Sequence, residues 1–593
     1  MRPSIRKKLT KLLDWRQRHI GSNTFMILVS VLVGIIAGLA ASLLKSLTYQ
    51  IAEYLQQLEW RDKYYFFIFS PAIGILLAIF YVKRFIRNDQ FEPGLAPIIQ
   101  TIGRRKIRTA FHNIYSQIIT SALTVGFGGP PGLESPIVAS GAAIGSNTGY
   151  YLRLNYREIT LLLACGAAAG ISAVFNSPIA GMIFALEIVL PEFTIPAFIP
   201  LLIASATSAV VARIFYNEQL FFLVTEGWEF ESLLLYIVMG ILLGTLSYYF
   251  ISMNLRIRKY FSSLGSWQKK FALGGLLLGV LLFMFPSLYG EGYITIKEFL
   301  AGNYQVTVSN SLFDGFQDAE GVIIVYTLMI ALVKMPAAGI AIGAGGNGGL
   351  FGPSLVTGGL LGFVFAFALN QTGWVDLTIQ NFIVAGMAGS LSGIIRAPLT
   401  AIFLIAEITG GYILMVPLMI VSAISFFISR YLERFSIYTK ELAEQGEPIG
   451  EGGDDRSILS MMKLRYLIER NFYVLPAESL LSEHKAEFIH SKRNIFPVVN
   501  EENQLQGILM LEDVLSYLFE QNKQDTRVTE VMKPVPGTLD IHDSVEIAIK
   551  KLDHKNVWML PVTDQGRYIG FVSKSSVFGK YRALMLRQAR RTM

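Results

Sequence analysis

The chain has 593 residues, 52% of them apolar and 16% charged, with a mean hydropathy of +0.46. A soluble domain carries about a quarter charged residues, so this composition argues against a soluble enzyme or binding module and for a chain that crosses a membrane many times. The net charge of +7 does not indicate a nucleic-acid partner, because the basic residues gather at the two ends, in Arg2, Arg6, Lys7, Lys8, Lys11, Arg16 and Arg18 and again in Arg587, Arg590 and Arg591.

Residues 1–24 form either a basic amphipathic surface helix or a simple orientation signal, and both readings keep the amino end cytoplasmic. Residues 25–44 imitate a secretory signal, with Gly38-Leu39-Ala40-Ala41 in place of a cleavage site. The long basic region before them and the membrane-embedded character of the chain after them make them the first span instead. Charge is then nearly absent over long stretches. Glu134 is the only charged residue between Arg108 and Arg153, only Glu187 and Glu192 interrupt Glu158 to Arg213, and none lies between Lys334 and Asp376. A helix crosses the hydrocarbon core with about 20 apolar residues, so several spans fit in these stretches. The single cysteine, Cys165, excludes an internal disulfide and reads as a small core residue.

The membrane part repeats itself. Asn176-Ser-Pro-Ile-Ala-Gly-Met-Ile-Phe-Ala-Leu-Glu187-Ile188 lines up with Arg396-Ala-Pro-Leu-Thr-Ala-Ile-Phe-Leu-Ile-Ala-Glu407-Ile408 at an offset of 220, and Gly132-Leu133-Glu134-Ser135-Pro136 with Gly349-Leu350-Phe351-Gly352-Pro353 at 217. These matches imply two related halves, about 25–215 and 230–430, and a site is expected where their Gly- and Pro-broken segments, Gly126–Pro136 and Gly343–Pro353, meet. Periodicity alone does not tell whether the halves are inverted.

Glu134 is the leading candidate for function. A charged group deep in an apolar segment costs about 2.5 to 3.5 kcal/mol on insertion scales. The surrounding glycines and prolines open a helix start whose amides favour anions. A carboxylate there resembles a permeating anion and can occupy its path until protonated or displaced; the competing reading is a structural pairing with a neighbouring helix end. Gly349 and its neighbours offer a second such helix start, although small residues also serve tight helix packing. Tyr412, after Thr409-Gly410-Gly411, carries a hydroxyl able to donate to an anion, or is an interfacial aromatic.

After Arg430 the chain changes character. Residues 438–457 are charged and Gly-bearing and read as a solvated linker. Beyond them lies a second duplication: Asn494-Ile-Phe-Pro497-Val-Val with Gly507-Ile-Leu-Met-Leu-Glu-Asp513-Val, echoed by Val557-Trp-Met-Leu-Pro561-Val with Gly570-Phe-Val-Ser573-Lys-Ser-Ser576-Val. Each copy reads as strand, turn, strand and helix start, an α/β module present twice.

In this order the segments resemble the CLC family of chloride channels and proton–chloride exchangers, and the tail resembles a pair of CBS domains. The resemblance implies an all-α multi-span membrane domain of two inverted repeats with broken helices and a C-terminal α/β pair. It divides the chain into an N-terminal basic helix (1–24), a transmembrane domain (25–431), a linker (432–460) and tandem CBS domains (461–593). It implies a homodimer with one pore per subunit, in the plasma (inner) membrane with both termini cytoplasmic, in contact with lipid and with no enzymatic activity. Glu134 becomes the gating residue. Tyr412 becomes an anion ligand through its hydroxyl, and Leu350 and Phe351 ligands through their amides. Gly132, Leu133, Ser135 and Gly349 supply filter backbone, and Pro93 and Gly94 complete the anion site.

Departures from the family pattern qualify these assignments. Pro93, or Gly94 if the alignment shifts, stands where a serine is usual. The hydroxyl is lost either way, and proline there marks nitrate-accumulating plant relatives. Leu133 replaces a common arginine. Ile188, after Glu187, stands where exchangers carry an internal proton-transfer glutamate, and it cannot bind a proton. The expectation is therefore channel-like passage of chloride-type anions, with a proton-coupled chloride or nitrate antiporter using another proton route as the alternative. In the CBS pair, Asp513 and Ser573 each supply half of a ribose-binding pattern, which leaves adenine nucleotide binding open; dimerisation and coupling to the pore is the alternative role. A membrane metalloprotease would need His-Glu-x-x-His, which none of the six histidines forms. A cation transporter would want several intramembrane carboxylates, which are sparse.

Overall fold

The computed structural model describes residues 19–57, 63–86, 91–103, 108–190, 195–216, 227–309, 311–316, 319–444, 459, 462–519 and 525–592. The basic residues 2–18 and most of the charged linker lie outside the described residues. The chain divides into two compact units, Met1–Ile449 and Gly450–Met593.

The first unit is helical. Its first half runs α1 (Ser22–Gln57), α2 (Lys63–Phe85), α3 (Ala96–Gly103), α4 (Asn113–Gly126), α5 (Glu134–Tyr151), α6 (Tyr156–Phe175), α7 (Pro178–Phe184, continued by a π turn to Val189) and α8 (Ile195–Phe215). Its second half repeats the series as α9 (Leu233–Ser263), α10 (Trp267–Met284), α11 (Tyr293–Leu300), α12 (Glu320–Gly343), α13 (Phe351–Gln371), α14 (Ile379–Ile395), α15 (Pro398–Ile408) and α16 (Met415–Leu432), with a short α17 (Lys440–Glu444) after it. Among the described residues, nine helices are long and apolar enough to cross a membrane.

The halves match in their packing and their punctuation. Helix α5 packs on α6 and α13 on α14, and both pairs approach through glycines that leave no room for a Cβ, Gly141 against Gly166 and Gly358 against Gly386. Helices α6 and α14 end at Asn176 and Arg396, both in the left-handed region, and α7 and α15 then start with Pro178 and Pro398 at their first turns.

Contacts between the halves are reciprocal. The Glu187 carboxylate accepts the Leu399 and Thr400 amides at 3.1 and 2.9 Å, and Glu407 accepts the Ile179 and Ala180 amides at 3.1 and 2.9 Å. Each acid thus caps the equivalent helix start of the other half, the exchange that a two-fold relationship produces. The amino ends of α5 and α13 meet at an antiparallel bridge between Gly132 and Gly349, which fits the same two-fold relationship.

The second unit holds two three-stranded sheets of one design. Strands β1 (Leu475–Pro476), β2 (Ile495–Val499) and β3 (Leu505–Met510) form the first, and β4 (Leu539–Asp540), β5 (Met559–Asp564) and β6 (Arg567–Ser573) the second. In each, the outer pair is parallel, the hairpin antiparallel, and the register slips at the same place, Val498/Val499 and Val562/Thr563. A helix comes directly after each hairpin, Leu511–Phe519 after β3 and Lys574–Thr592 after β6, in the expected strand, turn, strand, helix order.

Candidate anion site

The site is built where two helix starts converge. Helix α5 begins at Glu134 and α13 at Phe351, each just beyond its half of the Gly132–Gly349 bridge. The first amides of a helix have no intrahelical acceptor, and both helices aim theirs at this junction. Pro136 and Pro353 in the first turns fix the backbone angle without removing a needed donor.

Glu134 is 1% exposed. Its Oε2 accepts the Gly352 amide of α13 at 3.2 Å, and its Oε1 accepts the Tyr293 hydroxyl of α11 at 2.5 Å. One carboxylate therefore occupies the amide of the opposing helix start, a position suited to an anion. The Leu133 amide, one residue earlier, donates to Glu291 Oε1 at 2.8 Å.

Beside this junction lies a cavity of about 380 Å³, lined by Pro93, Gly94, Ser135, Gly349, Leu350 and Tyr438 among others, with Arg258 and Lys270 in its wall. With Glu92 as the one acidic residue in the same wall, the two basic side chains leave the cleft net positive, which favours anions entering it. The segment carrying Pro93 is held by the Gln117 side chain, which donates to the Glu92 carbonyl at 3.1 Å. The Asn347 side chain, just before the second helix start, donates in turn to Gln117 Oε1 at 2.9 Å and Thr120 Oγ1 at 2.8 Å. The broken segment of one half is thereby tied to α4 of the other. Ser135 Oγ lies 3.4 Å from the Tyr438 hydroxyl, so the two line the cavity as a polar pair.

Most expected residues come together here: Pro93, Gly94, Ser135, Gly349 and Leu350 on the cavity, with Gly132, Leu133, Glu134 and Phe351 at the adjoining helix starts. Tyr412 does not. It is 55% exposed, in the turn between α15 and α16, and the buried tyrosine on the cavity is Tyr438. The linker reading is corrected as well, since Tyr438 and Leu442 are 8% and 5% exposed. The charged flanks conceal an apolar turn, Ile437-Tyr438, that packs back onto the membrane unit, and that apolar pair was the available signal. Glu291 and Tyr293 were missed too. Their signal was a lone acid between Gly290 and Gly292 just after an apolar helix.

Ile188 sits half-buried in the π turn at the end of α7. Beside it, the Glu187 carboxylate is taken up by the α15 amides and by the Thr400 hydroxyl at 2.7 Å. In the second unit, Asp513 pairs with Lys533 at 2.7 Å, and the Ser573 hydroxyl donates to Glu469 at 2.6 Å. Both candidate nucleotide ligands are thus engaged by side chains of the protein. No cluster of three metal-ligating side chains occurs among the described residues.

The model of the voltage-gated chloride channel family matches residues 74–430, and the CBS-domain model matches 468–520 and 528–582. An H(+)/Cl(−) exchange transporter ClcA of Klebsiella pneumoniae subsp. pneumoniae is 31% identical over 327 residues, 53% of this chain and 66% of that relative. The solved structure of a slow cyanobacterial Cl⁻/H⁺ antiporter superposes with a TM-score of 0.60 at 23% identity, over 71% of this chain and 97% of that one. A eukaryotic CLC transporter superposes with a TM-score of 0.57 at 17% identity, over 93% and 97%. At these identities the structures speak for the fold alone.

Proposed function

We propose a role that proceeds from one premise: this chain belongs to the voltage-gated chloride channel family, with a CBS pair at its carboxyl end. It is an integral multi-pass membrane protein that transports small anions of the chloride type. The path runs from the cavity beside Ser135 and Tyr438 through the junction of α5 and α13, and Glu134 is its gate. The observation that carries this reading is the hydrogen bond from the Gly352 amide to the Glu134 carboxylate. While ionised, Glu134 fills an anion's place at the helix start; once protonated it has no charge to hold it there, and an anion displaces it.

Passage is channel-like on this reading. Ile188 carries no proton, and the neighbouring Glu187 carboxylate is spent on capping α15. A second reading, proton-coupled antiport, is favoured by a half-buried acid elsewhere, since Glu291 lies next to Glu134 on the Leu133 amide. Reconstitution with a measured reversal potential separates the two. A potential that stays at the anion's Nernst value when a pH gradient is imposed supports the channel; one that moves with the gradient supports antiport.

We take the protein to act as a homodimer with one pore per subunit in the plasma (inner) membrane, both termini cytoplasmic, as the basic amino end favours. Residues 25–431 transport together with the buried Ile437-Tyr438 turn that follows them, the remainder of 432–460 connects, and 461–593 regulate or dimerise.

A further inference from the structure

We propose that the turn Gly290-Glu291-Gly292-Tyr293 is a latch on the gate, in which Tyr293 holds the Glu134 carboxylate in the anion path and Glu291 sets how readily it lets go. This rests on Glu134 being the gate, and the experiment below separates the two claims.

The geometry is a two-point grip. Glu291 and Tyr293, two residues apart, take hold of two consecutive residues of α5's start: Glu291 accepts the Leu133 amide at 2.8 Å, and Tyr293 donates to the Glu134 carboxylate at 2.5 Å. The intervening Gly292 has φ +96°, a left-handed conformation that glycine adopts freely and residues with a Cβ rarely do. The turn is itself anchored. The Lys334 ammonium of α12 donates to the carbonyls of Leu288 and Gly290 at 3.2 and 2.6 Å, and the Gly290 amide donates to the Gly128 carbonyl at 2.8 Å. A grip mounted on such a base has little freedom to move with Glu134 when the gate swings out.

The two side chains act on the gate with opposite sign. A phenolic hydroxyl donating to a carboxylate favours its charged form and its seated position, as charge-assisted hydrogen bonds do. A second carboxylate close by disfavours that charge. The titratable and charged groups facing the pair are Glu134 on α5, Lys45 and Tyr49 on α1 and Lys334 on α12, with Tyr438 facing Glu134 from the segment after α16. Lys45 donates to the Val174 carbonyl of α6 at 2.5 Å, so it is fixed in place and does not swing with the gate. Neither Tyr293 nor Glu291 need touch the moving anion; both are positioning residues.

The test is chloride efflux from liposomes holding the full-length protein, recorded against pH. Tyr293→Phe removes only the hydroxyl, and the midpoint of the flux–pH curve moves to alkaline pH by about one unit, tenfold in proton concentration. Glu291→Gln keeps an oxygen for the Leu133 amide while removing charge, and the midpoint moves the opposite way, to acid. In a Glu134→Gln background both shifts vanish. If both variants keep the wild-type midpoint, or only lower flux evenly at every pH, the latch is wrong while the gate stands. If Glu134→Gln itself leaves the midpoint in place, the gate is what fails.

Discussion

Gly132 and Gly349 exchange two backbone hydrogen bonds, 2.9 Å from the Gly132 amide to the Gly349 carbonyl and 2.8 Å in return. They are equivalent positions of the two halves, and each precedes a helix start aimed at the junction. The candidate anion path therefore passes the line about which the protein repeats itself, and side chains added there act directly on the proposed site.

Alanine at the two glycines is expected to act differently. A Cβ on Gly349 would stand 2.2 Å from Ser135 Oγ and 2.6 Å from Ser135 Cβ, while one on Gly132 meets the movable Glu134 Oε2 at 2.1 Å. Gly349→Ala displaces a buried helix start, an overpacking cost of about 1–3 kcal/mol, and chloride efflux falls at every pH. Gly132→Ala pushes the carboxylate from its seat, so efflux persists and its alkaline inhibition weakens.

Tyrosine substitutions separate the sequence-based assignment from the one the cavity supports. Tyr438→Phe removes the hydroxyl 3.4 Å from Ser135. Loss of one hydrogen-bond donor, worth about 1 kcal/mol, weakens chloride binding about fivefold in calorimetry. Tyr412→Phe, at an exposed turn, leaves it within about 0.5 kcal/mol of wild type. A reversed order of the two effects would return the role to Tyr412.

Glu187 and Glu407 hold the halves to each other through α7 and α15. Each carboxylate accepts two amides, so Glu407→Ala leaves a buried helix start uncapped and costs about 1.5–3 kcal/mol. Glu187→Ala costs a similar amount, and the double variant departs from the sum because the helices pack on each other. Thermal melting in detergent gives both values. Neither variant moves the flux–pH midpoint, since neither carboxylate is at the gate.

The fold was legible because duplication is a sequence property. Offsets of 220 and 217 between Glu187 and Glu407 and between Gly132 and Gly349 survive as reciprocal contacts, and the tail's repeated apolar runs survive as twin hairpins. Glu134 was legible because a lone charge in an apolar run demands a reason. Tyr438 was not, because local composition around it is polar and only tertiary return buries it. Glu291 and Tyr293 escaped because their partners, Leu133 and Glu134, lie about 160 residues upstream, and no periodicity encodes that approach.

The most direct test of the gate is chloride efflux from reconstituted protein carrying Glu134→Gln, measured from acid to alkaline pH. A carboxylate that contests the anion's place loses that ability when it cannot ionise. A gate at Glu134 predicts flux that no longer falls as pH rises, with wild-type flux approaching it only in acid. A variant whose efflux keeps the wild-type dependence on pH would contradict it.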